Sequence, residues 1–201
     1  MRDRATPWLW NATLALDISK SLVLYASHAT GLEESGVAPA IAANRNDALP
    51  AIQTRQTDAG LRLALTNDLK LIAGWFSVEK PYFNLDEANV WRDLGTVRNS
   101  GFELSLSGKF TRTLGIVAGA VLLDADVTGD GVALGRIGRR PVNSTPIEAI
   151  GSLNWDTPVE GLAVDLGLTH EGPRESTRLN LVRIPPRTLV NLRAGIGRDG
   201  W

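Results

Sequence analysis

Segments of strand length that alternate apolar and polar residues recur along this chain, and the links between them alternate strictly between short and long. The short links are residues 17–21, 67–68, 109–113 and 156–161; the long ones are 29–52, 80–95, 125–144 and 171–187. Strict alternation places every long link on one side of a sheet and every short link on the other. A membrane-spanning up-and-down β-barrel has this two-sided wiring, with short periplasmic turns and longer extracellular loops.

Side chains alternate across a strand, so each face is read at a period of two. Residues 53–66 set Ala59, Leu61, Leu63 and Leu65 against Thr54, Gln56, Asp58, Gly60, Arg62 and Ala64. Residues 97–108 set Phe102, Leu104 and Leu106 against Asn99, Glu103, Ser105 and Ser107. The same division appears in 8–16 (Trp8, Trp10, Ala12, Leu14 and Leu16 on one face), in 147–155 (Ile147, Ala149, Leu153 and Trp155), in 162–169 (Leu162, Val164, Leu166 and Leu168) and in 188–196 (Val190, Leu192, Ala194 and Ile196). Segments 22–28, 69–79 and 114–124 are apolar on both faces in part, and periodicity alone leaves their outward face open. The reading is all-β, with nine candidate strands; a helical turn in 37–43 is the one helical option.

Composition narrows the partners. A net charge of −1 over 201 residues gives no basic footprint for nucleic acid. The absence of cysteine excludes disulfide and thiolate–metal frameworks. The charged start Met1-Arg2-Asp3-Arg4 leads into a broken apolar stretch, unlike a signal peptide. The longest nearly apolar run, 114–123, is too short for a spanning helix of about 20 residues but suits a tilted membrane strand of about 9–11.

Two arrangements fit the alternation. In a soluble sandwich or small barrel the apolar faces point inward; in an outer-membrane barrel they meet lipid and the polar faces line a wet or plugged interior. Long strands, one-sided long loops and Trp155 at the short-turn end, where an aromatic girdle sits, favour the membrane.

The order of several segments resembles the barrel of TonB-dependent outer-membrane receptors of the ferric-siderophore type. These segments are Leu24-Tyr25-Ala26-Ser27, Thr30-Gly31-Leu32-Glu33, Ala38-Pro39, Asn44, Ala48-Leu49-Pro50, Gln56-Thr57-Asp58-Ala59-Gly60-Leu61-Arg62 and Val97-Arg98-Asn99-Ser100-Gly101-Phe102-Glu103-Leu104. The last two are similar to the family's Q-x-E-x-G-x-K and R-x-x-G-x-E segments, with Asp58 for the usual Glu and Arg62 for the usual Lys, both charge-conserving. A looser likeness continues through Arg140-Pro141-Val142-Asn143-Ser144 and Pro185-Pro186-Arg187-Thr188. The resemblance implies an antiparallel up-and-down transmembrane β-barrel of roughly 22 strands with a plugged lumen. Nine strands would then be one part of it, an internal fragment of residues 1–201 without the plug, the TonB-contacting segment or the closing strands. It further implies location in the outer membrane of a Gram-negative cell, a ferric siderophore as ligand, TonB as a partner through the missing N-terminal region, outer-membrane lipid around the wall, no cofactor and no enzymatic activity.

Within that reading, the loop aromatics Tyr82, Phe83 and Trp91 either stack on an aromatic siderophore or pin a loop to the rim. Arg139, Arg140 and Arg178 suit an anionic ferric complex; mixed surface charge is the plainer account. Gln56, Asp58, Arg62, Glu103, Asp165 and Arg193 share the polar faces, where they line a transport path, touch a plug or pair across strands. Asp124-Ala125-Asp126-Val127-Thr128-Gly129 partly mimics a calcium loop, but its twelfth position is Gly135 rather than a bidentate Glu, so a strand end running into a loop is the expectation. An outer-membrane hydrolase would need Ser27, Asp165 or Ser176 brought beside His28 or His170; rim histidines meeting water or headgroups are the simpler reading.

Overall fold

The computed structural model describes residues 7–34 and 36–197. Its main body is a nine-stranded antiparallel sheet in which the strands follow one another in chain order. These are β1 (Asn11–Asp17), β2 (Leu22–Glu33), β3 (Ile52–Ala64), β4 (Leu69–Leu85), β5 (Trp91–Lys109), β6 (Leu114–Thr128), β7 (Ile147–Asp156), β8 (Leu162–Glu171) and, after a small hairpin of β9 (Arg174–Glu175) and β10 (Arg183–Ile184), β11 (Arg187–Ile196). Each strand pairs with the next, β8 pairs directly with β11, and within the described residues β1 and β11 have one neighbour each. This is an up-and-down wall, part of a barrel. The only other sheet among the described residues is the two-stranded β9–β10 hairpin, so a sandwich is not what forms.

The register joins the faces read strand by strand into one surface. Leu14 lies opposite Ala26, Ala26 opposite Ala59, Ala59 opposite Trp75, Trp75 opposite Phe102, and Phe102 opposite Leu122. Further on, Leu153 lies opposite Leu166 and Leu166 opposite Leu192. Directly paired residues share a face. The apolar sets expected from 8–16, 53–66, 97–108, 147–155, 162–169 and 188–196 therefore form one continuous apolar face. The register also settles the ambiguous segments: Leu24 and Ala26, Ala73 and Trp75, and Ala120 and Leu122 belong to this face. Its large side chains are exposed, Leu14 at 69%, Phe102 at 63% and Leu192 at 73%, so they meet whatever surrounds the wall.

The opposite, mixed face explains the two family-like glycines. Tyr25, Gly60, Gly74 and Glu103 lie in one cross-strand row. A Cβ at Gly60 would come within 2.6 Å of the Tyr25 hydroxyl and also strike the Ala73 carbonyl. The phenol thus lies across two glycines, and the Arg62 guanidinium sits 5.3 Å from its ring centre. Phe76 treats Gly101, its direct partner, in the same way: a Cβ there would lie 3.1 Å from the ring tip and would also meet the Leu122 carbonyl. In both motifs glycine marks close approach of an aromatic ring to bare backbone.

Strand length exceeds what a bilayer needs. About 9–11 residues cross the hydrocarbon, whereas β4 has 17, β5 has 19 and β6 has 15. The long segment 80–95 is therefore not a loop as its sequence implied. It is the outer end of the β4–β5 hairpin, interrupted by a bulge between Pro81 and Phe83 and closed by residues 86–90. The helical option in 37–43 gives way to turns with i+3 bonds from Ala42 to Pro39 and Arg45 to Ala42, and a bridge between Val37 and Ala48. The short helix lies elsewhere, in α1 (Asp130–Ala133), a single four-residue turn.

Gly101→Val is expected to destabilise the folded chain by about 1–3 kcal/mol through overpacking against Phe76 and the β6 backbone. Gly151→Val, where an added Cβ meets nothing within 4 Å, should stay within about 0.5 kcal/mol. Urea unfolding in detergent micelles compares the two.

Candidate functional site

The mixed face divides into a polar part and an apolar part. On β2 and β3, Ser27 donates to Asp58 at 3.0 Å, and Gln56 donates to both Asp58 oxygens at 3.0 Å. On β7 and β8, Asn154 donates to Asp165 at 2.6 Å. Gln56, Asp58, Arg62, Glu103, Asp165 and Arg193 all fall on this face, as their periodicity implied. Asp58 and Asp165 are held by amides and a hydroxyl, and Arg62 by the Tyr25 ring, and none of the six makes a cross-strand ion pair with another among the described residues. Across β4–β7 the same face carries Ile72, Phe76, Val121 and Ile150, and a hollow of about 420 Å³ opens there between Glu103 and Glu148.

Every salt bridge among the described residues lies at the long-loop end, including Lys80–Glu33, Arg98–Glu79, Arg92–Asp86, Arg139–Asp126 and Arg187–Glu171. Here the surplus strand and the long links form a cap with its own small core of Leu94, Val97, Val127 and Ile137, packed by Tyr82 and Val132.

The cap is tied by side chains that grip backbone. Asp86 accepts from the N–H groups of Ala88 and Val90, both at 2.9 Å, and pairs with Arg92 Nε at 2.8 Å, which closes the β4–β5 tip. Arg178 donates to the carbonyls of Leu85 and Asp86, both at 3.0 Å, joining the last long link to that tip. Asn44 brackets Trp91, accepting from its N–H at 2.8 Å and donating to its carbonyl at 3.1 Å. Asn180 does the same to Arg140, at 3.0 and 2.9 Å. An amide side chain carries the donor–acceptor pair of a peptide unit, so each of these asparagines substitutes for a strand neighbour.

The expected ligand-facing residues thus fall into different settings. Tyr82 packs on the cap core, and its hydroxyl accepts from Asn84 at 3.1 Å. Trp91 and Phe83 lie on the β4–β5 extension, half-buried. Arg139 makes a two-pronged pair with Asp126 at 3.1 and 2.9 Å, and Arg178 is spent on the β4–β5 tip. Arg140 alone of the three arginines has no side-chain partner among the described residues, while its backbone is fixed by Asn180. Sequence reasoning gave no bridging role to Asn44, Asn180 or Asp86, because a loop asparagine or aspartate reads only as turn chemistry until its distant partner is known.

The hydrolase arrangement does not assemble. His28 contacts Thr57 at 2.9 Å and stacks on Trp10 at 4.5 Å, and His170 contacts Thr188 at 2.8 Å. Both histidines lie on the apolar face, whereas Ser27 and Asp165 lie on the mixed one. The calcium-like segment is strand through Thr128, and no group of three or more potential metal ligands occurs among the described residues.

The family described as TonB dependent receptor-like, beta-barrel matches residues 2–201. This chain belongs to that family. Among solved structures, the ferric preacinetobactin receptor BauA of Acinetobacter baumannii is 24% identical with a TM-score of 0.73, matching 92% of this chain and 29% of its own. The siderophore receptor PiuA of the same organism is 20% identical, with a TM-score of 0.76 and the same coverage. The ferric yersiniabactin uptake receptor FyuA of Yersinia pestis is 20% identical at a TM-score of 0.76, over 94% of this chain and 29% of its own. This TonB-dependent receptor wall therefore spans under a third of the length of these receptors. No curated protein matches it.

The Val90 N–H bond, then the Arg92 charge, hold the Asp86 carboxyl below its usual value of 3.8. A depressed folded value means that the stabilisation is complete above the usual one and is lost as pH falls through the folded one. Hydrogen-exchange protection of the Val90 amide is expected to drop below pH 3.8 in the native chain. In Asp86→Asn that acid-dependent loss should disappear.

Proposed function

We propose that this chain is wall and rim of an outer-membrane receptor that takes up a ferric siderophore in a TonB-dependent manner. The observation that carries the reading is the continuous apolar face, backed by a mixed face, that cross-strand pairing builds across all nine strands. Such a wall is inverted relative to a soluble protein, and only lipid can cover its outside. Uptake by the solved receptors of this fold supports the ligand class.

In this reading the apolar face meets outer-membrane lipid, and the cap forms the extracellular, ligand-facing rim. A plug in the lumen would rest on the apolar part of the mixed face, against Ile72, Phe76, Val121 and Ile150, with Glu103 and Glu148 beside it. Coupling to TonB runs through a region outside these 201 residues. The chemistry is binding and release, with no bond broken and no cofactor required. A nearly neutral chain of mixed surface charge offers nucleic acid no surface.

The absence of cysteine allows orientation to be read directly. Leu134 in the cap is 61% exposed and Val159 in a short turn is 58% exposed. A membrane-impermeant maleimide on intact cells should label Leu134→Cys and reach Val159→Cys only after permeabilisation. Equal labelling of both in a soluble fraction would contradict the membrane assignment.

A further inference from the structure

The tip of the β4–β5 hairpin receives a tie from each of the other three long links. From the link over residues 29–52, the Ala43 N–H donates to the Asn89 carbonyl at 2.7 Å, and the Asn89 amide donates back to the Ile41 carbonyl at 2.8 Å. From the link over 125–144, Arg136 pairs with Glu87 at 3.5 Å. From the link over 171–187, Arg178 donates to the carbonyls of Leu85 and Asp86. The last two links are also strapped to each other. The Gly138 N–H donates to the Arg178 carbonyl at 2.7 Å, and the Asn143 N–H donates to the Glu175 carbonyl at 2.9 Å, beside the Asn180 bracket on Arg140.

Arg178 is the node of this network. Its side chain holds the hairpin tip, and its carbonyl holds the link over 125–144. Among the described residues its guanidinium makes no ion pair and is met by these two carbonyls. Bonds from a charged donor are the stronger kind, and these last only while the tip and the last link stay together. The backbone is bent to suit. Among the described residues, the positions other than glycine with positive φ are Asn46, Asn89, Asn143 and Asn180, one in each of the four segments that meet here. Asparagine tolerates that conformation, and the surrounding bonds keep it there.

We propose that the cap opens and closes as one shutter latched at Arg178, while the paired strands below it stay folded. The apolar core of the cap is small, so its cohesion lies in bonds that the segments share. A contiguous unit with few buried apolar contacts opens below the global unfolding limit. A segment that never touches Arg178, such as the one carrying Ala43, is then tied to it through the hairpin tip. The device goes beyond the uptake reading and holds whatever the rim binds.

Amide hydrogen exchange of the full chain in lipid nanodiscs tests the latch. Ala43, Val90 and Gly138 report on three segments of the cap, and β6 amides 117–121 report on the wall. Arg178→Gln should lower protection at all three cap amides by a similar factor, roughly tenfold for one charge-assisted bond, and leave the wall unchanged. Asn89→Gly keeps the left-handed backbone but removes the bond to Ile41. It should lower protection at Gly138, in a segment that Asn89 does not touch, as well as at Ala43. A loss at Gly138 in Arg178→Gln with Ala43 unchanged would overturn the shutter. So would a loss at Ala43 alone in Asn89→Gly. If Arg178→Gln also lowers protection in the wall, its fold is damaged, and the Gly138 amide in Asn89→Gly decides.

Discussion

The backbone ladder is the constraint on which everything else here depends. Nine strands follow one another in chain order, and each register is set so that leucine meets alanine, tryptophan meets phenylalanine and leucine meets leucine on one side only. A slip of one residue in any pair would carry a whole strand's apolar set to the other face. Slipping β3 would put Asp58 and Arg62 among the leucines, at the cost of an unpaired charge in an apolar setting. The pairing thus decides the surroundings of every side chain, and the inverted chemistry of the wall follows from it.

Two devices adapt that ladder to its position. On the mixed face, the Tyr25 hydroxyl reaches over Gly60 and Gly74 and the Phe76 ring tip over Gly101, so aromatic bulk is accommodated where no Cβ stands. Beyond the apolar band, β4, β5 and β6 continue as strand, and ion pairs and amide brackets surround a small apolar core of Leu94, Val97, Val127 and Ile137. The cap gains cohesion from bonds to backbone carbonyls and N–H groups, above all those of Asp86, Arg178, Asn44 and Asn180. Such bonds order the connections without a large core, which the rim of a ligand-binding protein cannot afford to build across its opening.

The strands with clean alternation were legible because one face of each meets a uniform medium. Residues 69–79 and 114–124 were not, because Ile72, Phe76, Val117 and Val121 are apolar on the interior side as well; only the cross-strand partners Phe102 and Leu122 resolve them. Residues 80–95 read as a loop because Pro81 sits at a bulge that breaks the period of two. The loop arginines read alike in sequence, and the structure separates them by partner: Arg139 pairs with Asp126, Arg178 with the β4–β5 tip, and Arg140 stays available. Glu175 read only as one charge among several in its loop, and its buried oxygen without a hydrogen-bond partner shows only in the folded chain.

The central claim is that the face carrying Phe102, Leu104 and Leu106 looks into lipid while Glu103 and Ser105 look into the lumen. Nitroxide labels placed singly at positions 102–106 of the chain in lipid bilayers test it through their collisions with oxygen, which concentrates in lipid, and with a polar nickel chelate, which stays in water. The account predicts strict alternation, with oxygen favoured at 102, 104 and 106 and the chelate favoured at 103 and 105. Alternation in the opposite phase, or uniform access along all five positions, would contradict it.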